Sequence, residues 1–213
     1  MPIILVVDDH AFVRKGVIRI LEESSSIEAT CDEATNAKDA EQKITTGVYD
    51  LILLDISIPG SNGLELLKRL HKHHPNLPIM ILSMLPENQY AVRALTLGAV
   101  GYLTKESAPE ELVIAVRKAL SGGRYVSSNL ADRLAAHLGA GLKTESLPHE
   151  RLSDREFQIL CMIGEGRTPT QIGNDLFISI KTVSTYRSRI LHKMELKNNA
   201  ELMSYVIKQN LIN

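Results

Sequence analysis

The chain is predicted to be an α/β protein: a doubly wound (βα)5 parallel sheet, then a small all-α domain. Three observations carry this. Short, apolar, β-branched runs alternate five times with helical patterns over residues 1–121, and charged or hydroxyl residues gather directly after those runs. Beyond residue 150 the strand pattern stops and four helical segments follow. Strands alternating with helices of ten or more residues imply a parallel sheet covered on both faces.

The strand-like runs are Ile3–Val7, Ala29–Ala34, Leu51–Leu54, Ile79–Leu82 and Gly101–Leu103. Between and after them lie Phe12–Glu23, Ala37–Thr46, Gly63–His73, Asn88–Leu97 and Pro109–Leu120. Val13, Val17, Ile20 and Leu21 fall on one face at helical spacing, as do Leu112, Val113, Val116 and Leu120. Pro109 suits a first helical turn. Gly122-Gly123 breaks the last helix, Asn129–Leu138 is expected as a short helix, and Gly139 to Pro148 reads as a linker with the boundary near residue 145. The expected division is a domain at 1–121, a linker at 122–147 and a domain at 148–213. In the latter, Ser153-Asp154-Arg155-Glu156 is a capping box before an apolar run. Gly164 and Gly166 close that helix, Thr168-Pro169 starts a second over Thr170–Leu176, Ser179 caps a third over Lys181–Met194, and a fourth runs from Ala200 to Gln209.

Composition excludes several classes. Hydrophobic residues make up 44% of the 213 and charged residues 23%, which rules out a disordered tail, a collagen or a coiled-coil rod. No apolar run nears the roughly 18 residues of a membrane span. Residues 1–7 lead into two aspartates without a basic stretch or cleavage site, so they are not read as a signal peptide and the expected location is the cytoplasm. Cys31 and Cys161 stand alone among apolar neighbours and read as buried thiols. Residues 1–149 hold 15 Lys and Arg against 18 Asp and Glu, and residues 150–213 hold 9 against 7. This asymmetry is too small to announce a nucleic-acid partner by itself.

Sheets of this kind place their sites beyond the C-terminal strand ends. Asp8 and Asp9 follow the first run, Asp55 the third, Ser83 the fourth, Thr104 and Lys105 the fifth. Three carboxylates facing one lysine would repel one another, and a hard divalent cation such as Mg2+ relieves that repulsion. A carboxylate is also a nucleophile toward phosphorus, and phosphoryl transfer then needs mainly positioning and charge neutralisation, which Mg2+, Lys105 and Ser83 can supply. Each residue alone has a plainer reading, Asp9 as a helix cap for instance; all of them at strand ends together do not.

The segments Val6-Val7-Asp8-Asp9-His10 with Arg14, Leu53-Leu54-Asp55-Ile56-Ser57-Ile58-Pro59-Gly60, Leu82-Ser83-Met84 and Gly101-Tyr102-Leu103-Thr104-Lys105 resemble, in order and spacing over residues 3–121, the receiver domain of two-component response regulators, a flavodoxin-like fold. The resemblance implies that Asp55 accepts a phosphoryl group from a sensor histidine kinase. It implies that Asp9, Asp55 and the Ser57 carbonyl bind Mg2+ directly and Asp8 through water. Lys105 would pair with the phosphate, Ser83 would be the switch hydroxyl, and Tyr102 the aromatic that follows it inward. Lys105 is followed by Glu106 where many receivers have proline, and Ser83 stands where threonine is more widespread.

Segment 179–194 holds Lys181, Arg187, Arg189 and Lys193 and no acid. Val183, Ile190, Leu191 and Met194 mark its apolar face, while Ser184, Thr185 and Ser188 lie opposite with the cations, an arrangement suited to a DNA major groove. A solvated cationic face is the bland alternative; the short helix and tight turn upstream favour the groove. Leu152 to Glu156, Ile159-Leu160, Gly164, Gly166, Ile172-Gly173, Leu176, Ile178-Ser179 and Lys181 to Tyr186 resemble the LuxR-type helix-turn-helix. Joined to a receiver, this is the NarL/FixJ class. The second helix departs from the family pattern, with Thr168-Pro169-Thr170-Gln171-Ile172-Gly173 in place of a cationic start. The resemblance implies base contacts by Ser184, Thr185 and Ser188, phosphate contacts by Lys181, Thr182, Arg187, Arg189 and Lys193, double-stranded DNA as partner, and a homodimer on phosphorylation. The expected function is a phosphorylation-dependent transcriptional regulator, not an enzyme. A Mg2+-dependent phosphatase is the competing class; Asp55-Ile56-Ser57 lacks the second carboxylate that many such hydrolases carry two positions on.

Overall fold

The computed structural model describes residues 1–58, 62–132, 147–209 and 211–212. The chain divides into two compact units, Met1–Ala135 and Ala136–Asn213. In the first, strands β1 (Ile3–Val7), β2 (Thr30–Ala34), β3 (Leu51–Leu54), β4 (Ile79–Ser83) and β5 (Gly101–Thr104) alternate with helices α1 (Ala11–Glu22), α2 (Ala37–Thr46), α3 (Gly63–His73), α4 (Glu87–Thr96) and α5 (Pro109–Leu120). The strands pair in parallel in the order β2-β1-β3-β4-β5. Each element lies within one residue of its expected bounds.

Register decides where the polar strand ends meet. Val7 is opposite Leu54, Leu54 opposite Ile81, and Ile81 opposite Tyr102, so these four form one row across the sheet. Asp8 and Asp55 each follow that row by one residue, on adjacent strands. Slipping one strand by one position would send its side chains to the opposite face and separate the two carboxylates. Ile4, Val6, Leu53, Met80, Leu82 and Leu103 pack with Val17 and Leu21 of α1 and Leu112 and Val116 of α5. The alternate residues Leu5, Val7, Ile52, Leu54, Ile79 and Ile81 are buried as well, so both faces are covered. Edge strand β2 is the polar exception: Asp32 takes Lys43 and the Tyr49 hydroxyl, and Glu33 takes Arg14 and Lys15.

Residues 122–132, the described beginning of the expected linker, lie against the first unit. Tyr125 forms a parallel bridge with Gly101 at the free edge of β5, and its hydroxyl donates to Glu111 at 2.6 Å. The Ser127 hydroxyl donates to Glu87, the first residue of α4, at 2.7 Å. It also accepts from the Leu130 N–H and so caps a helical turn at 128–132. The rest of the helix expected at Asn129–Leu138 lies outside the described residues, as do Pro59 and Gly60.

The described part of the second unit begins with a 3-10 turn at Pro148–Arg151. Helices α6 (Asp154–Gly164), α7 (Pro169–Asp175), α8 (Ile180–Lys193) and α9 (Asn199–Lys208) follow. Helix α6 is buried from Glu156 to Gly164 and packs against both α8 and α9, while α7 packs on α8. The capping box forms: the Ser153 hydroxyl accepts from the Glu156 N–H, and the Glu156 carboxylate accepts from the Ser153 N–H. Cys161 is buried in this core, whereas Cys31 in the first unit is half-buried rather than buried as expected; burial, aided by Glu22, pushes its thiol up to about 12. Ser153→Ala is expected to lower unfolding stability of this unit by about 1 kcal/mol, read by denaturant melting, through loss of the cap.

Candidate functional site

Asp8 ends the β1 segment and Asp55 the β3 segment, at the point where the strand order reverses. Lys105 follows β5 and reaches across the end of β4 to both, with its Nζ 2.6 Å from Asp55 Oδ2 and 2.7 Å from Asp8 Oδ2. Side-chain exposure of Asp8, Asp55 and Lys105 is 4%, 1% and 3%, so this is a buried charge cluster. Burial works against the Lys105 charge, but Asp55 and Asp8 outweigh it and hold the ammonium above its usual pKa. The other oxygens of the two carboxylates are oriented from the main chain: Asp55 Oδ1 accepts from the Ser57 N–H at 3.0 Å, and Asp8 Oδ1 from the His10 N–H at 2.9 Å.

Three carboxylates against one ammonium leave the pocket negative. Donor atoms of Asp8, Asp9, His10 and Asp55 all lie within 4.8 Å of one another. Asp9 Oδ1 is buried and accepts no hydrogen bond among the described residues, with His10 Nδ1 at 2.9 Å. An orphaned carboxylate oxygen in a negative, oxygen-rich cluster fits a hard divalent cation. His10 is the member that sequence reasoning did not assign, although it follows Asp8-Asp9 directly.

The α3 start is pressed against this pocket. A Cβ on Gly63 would lie 2.5 Å from the Asp55 carbonyl oxygen and the Ile56 Cα, so only glycine permits this approach. The Asn62 side chain caps α3 through the Leu64 N–H, and the Gly63 N–H donates to the Ile56 carbonyl. Ser83, last in β4, is fully buried, and its hydroxyl accepts from the Leu85 N–H at 3.3 Å. Tyr102 is fully buried too, and its hydroxyl donates to the Leu85 carbonyl at 2.8 Å. Burial, with Asp55 adding, pushes the Tyr102 phenol above its usual pKa, so it remains a donor. Behind the acid cluster, buried Arg14 donates to the Asp8 carbonyl and to Glu33.

In the second unit α7, a tight turn and α8 form the helix-turn-helix. A Cβ on Gly173 would meet the Ile178 carbonyl at 2.9 Å, and Phe177 takes the turn at φ 53° with its ring exposed. Val183, Ile190 and Met194 are buried, which turns the opposite face of α8 outward. Lys181, Ser184, Thr185, Ser188 and Arg189 are exposed there. The hydroxyls of Ser184, Thr185 and Ser188 donate to carbonyls four residues back, leaving their lone pairs outward. Arg189 lies 5.9 Å from the Tyr186 ring centroid. The Thr182 hydroxyl pairs with Ser179, Arg187 donates to Asn199, and Lys193 is paired with Glu156 at 2.6 Å. Thus Arg187 and Lys193, expected at phosphates, are both engaged inside this unit.

A family model of the response regulator receiver domain matches residues 4–117, and one of the luxR family of bacterial regulatory proteins matches residues 150–206. The chain is 38% identical over 210 residues to the response regulator UvrY of Escherichia coli K12, covering 99% of this chain and 95% of that protein. It is 32% identical over 209 residues to the response regulator GacA of Pseudomonas aeruginosa, covering 98% and 97%. Among solved structures, RcsB from Salmonella enterica serovar Typhimurium, bound to promoter rprA in the presence of a phosphomimetic, is 26% identical with a TM-score of 0.63, covering 96% and 97%.

Burial raises the Glu156 carboxyl, but Lys193 and the Ser153 groups outweigh it and hold its pKa below the usual glutamate value. The pair therefore adds stability that is complete above the ordinary glutamate range and lost as pH falls through the lowered folded value. Acid melting of the wild type is expected to show this loss, and Lys193→Met to flatten it; equal pH profiles would contradict the assignment.

Proposed function

The chain belongs to the response regulators that join a receiver domain to a LuxR-type DNA-binding domain, and from that membership we propose how its own residues run the cycle. It is a DNA-binding transcription regulator. In the proposed cycle Asp55 takes a phosphoryl group from the phosphohistidine of a sensor histidine kinase. A carboxylate oxygen bonds to phosphorus, the P–N bond breaks, and its electron pair leaves with the imidazole, which takes up a proton. The observation that carries this reading is the placement of Asp55: buried, held by the Ser57 N–H on one oxygen and Lys105 on the other, beside a cluster that needs a cation.

Asp9 and Asp55, with the Ser57 carbonyl, would hold Mg2+, and Asp8 would do so through water. The ion supplies charge neutralisation at the phosphoryl oxygens. Lys105 then transfers its ion pair from the carboxylate to the phosphate, and Ser83 donates its hydroxyl to another oxygen. Moving a two-state equilibrium from 1:99 to 99:1 takes about 5.5 kcal/mol. One to three charge-assisted hydrogen bonds to a phosphate, at about 1.5–3 kcal/mol each, reach that range. Tyr102 moves with Ser83, because both hold Leu85.

The receiver takes residues 1–121, a connecting segment 122–147, and the DNA-binding domain 148–213. Phosphorylation favours a homodimer whose two α8 helices enter successive major grooves of double-stranded DNA. Support comes from the RcsB–promoter complex and the outward face of α8. Lys181 and Arg189 are the leading phosphate contacts, Ser184, Thr185 and Ser188 face bases, and Thr182, Arg187 and Lys193 join after exchanging their internal partners. The protein acts in the cytoplasm and turns over no substrate of its own; no helix among the described residues is long and apolar enough to cross a membrane.

With Mg2+ and a small phosphodonor, wild type is expected to gain about 80 Da and Asp55→Asn nothing, by intact mass. Turnover of many equivalents of a phosphoester would favour the phosphatase class instead. Two engaged cations per protomer give a dimer a slope of log K against log salt of roughly −4, and four give roughly −7. Arg189→Ala is expected to flatten the slope by about two per dimer; an unchanged slope would remove Arg189 from the interface.

A further inference from the structure

Among the described residues the Asp9 carboxylate has one charged side-chain neighbour, the exposed imidazole of His10, whose Nδ1 lies 2.9 Å from Asp9 Oδ1. Asp8 is held by Lys105 and the His10 N–H, and Asp55 by Lys105 and the Ser57 N–H. Asp9 Oδ1 accepts no hydrogen bond among the described residues, and its neighbour His10 has a side chain 61% exposed. An exposed imidazole is a weak anchor, so the placement of the Asp9 carboxylate turns chiefly on the peptide plane joining Asp8 to Asp9.

The carbonyl oxygen of that peptide accepts from Arg14 Nη1 at 2.7 Å. Arg14 is a buried cation, 9% exposed in its side chain, one turn into α1. Its Nε donates to Glu33 Oε2 at 2.7 Å, from the edge strand β2. The N–H of Asp8 donates to Ala34 on the same strand, so the turn is tied to β2 on both sides of the Asp8 residue. Among the described residues Arg14 has no hydrogen bond to a carboxylate of the cation cluster; it reaches the cluster through the main chain.

We infer that Arg14 is a positioning residue for the cation site, holding the Asp8–Asp9 peptide plane so that the Asp9 carboxylate is set in place before the cation arrives. Glu33 is its anchor: it fixes the guanidinium so that one N–H aims at the carbonyl. This rests on the reading of the acid cluster as a Mg2+ site. The same geometry distinguishes arginine from lysine, since an ammonium presents no planar fork to reach a carbonyl and a carboxylate in fixed directions.

The test is Mg2+ binding by full-length protein, read by calorimetry without a phosphodonor, beside phosphorylation rate at several Mg2+ concentrations. Loss of an outer partner of a metal ligand lowers affinity by about 10–100-fold. Arg14→Ala is expected to weaken Mg2+ binding about tenfold while phosphorylation at saturating Mg2+ stays within a few-fold of wild type. Glu33→Gln, which keeps an acceptor for Nε, is expected to bind Mg2+ almost as wild type does, and Glu33→Ala to fall between. A residue serving only the fold would lower the melting temperature and leave the Mg2+ half-saturation unchanged, and that result in folded Arg14→Ala would overturn the inference. If Arg14→Ala does not fold, Arg14→Lys and Glu33→Ala are judged on the same half-saturation, with wild-type affinity in both overturning it. Wild type that binds no Mg2+ would overturn the cation site and this inference together; wild type that binds Mg2+ beside an equally tight Arg14→Ala overturns the inference alone.

Discussion

The buried ammonium of Lys105 between two carboxylates is the interaction on which the first unit is organised. Taking three charges out of water costs several kcal/mol per ion, and their mutual attraction repays it only with close geometry and further hydrogen bonds. Both conditions are met here: contacts of 2.6 and 2.7 Å, with main-chain N–H groups on the outer carboxylate oxygens. The lysine starts from β5 and its targets end β1 and β3, so it spans the whole C-terminal edge of β4. That reach exists only in this strand order and this register. The Lys105 N–H is itself bonded to the Ser83 carbonyl, which ties the root of the side chain to the strand it crosses. A well-packed apolar replacement would serve stability as well or better. The retention of charge in such a place is a signature of chemistry.

The fold was legible because its signals are local. Buried strands read as continuous apolar runs, helices return their apolar residues at helical spacing, and Asn36, Asn62, Ser153, Thr168, Ser179 and Asn198 cap helices within three residues in sequence. Element ends moved by one residue, the scale on which fraying blurs any boundary. Asp8, Asp55 and Lys105 were legible as charges at the ends of apolar strands. What had no local signature was missed. Arg14 and Glu33 meet across 19 positions and Lys193 and Glu156 across 37. The second pair gives the exposed Lys193 a partner within its own unit that no local pattern announces. Tyr125 and Ser127 sit after a Gly-Gly break that reads as the start of a linker, yet Glu111 and Glu87, 14 and 40 positions away, hold them to the first unit.

On α8 the same economy of polar groups sets what faces outward. Serine and threonine inside a helix satisfy their own hydroxyl protons on carbonyls one turn back, as Ser184, Thr185 and Ser188 do. Their outward lone pairs accept, and rotation of the hydroxyl makes each a donor at the cost of one weak internal bond. Such side chains can adapt to a base edge or a phosphate without a large desolvation cost, whereas the exposed cations Lys181 and Arg189 would, in the proposed complex, supply the field that is independent of sequence. Burial of Val183, Ile190 and Met194 against the rest of the unit fixes which face is offered.

Leu85 connects these facts to signalling. Its N–H is taken by the Ser83 hydroxyl and its carbonyl by the Tyr102 hydroxyl, so both polar ends of one loop residue are held by the two side chains expected to switch. Ser83 cannot advance toward Asp55 without either losing the Leu85 N–H or bringing it along, and bringing it along draws on Tyr102. Two residues further, Glu87 begins α4 and accepts from Ser127, whose oxygen also caps the turn at 128–132. If Ser83 moves toward a phosphate on Asp55, as proposed, three hydrogen bonds within the first unit link that movement to the turn at 128–132. Such a link would need only that the loop of three residues have two stable positions, with the phosphate favouring one.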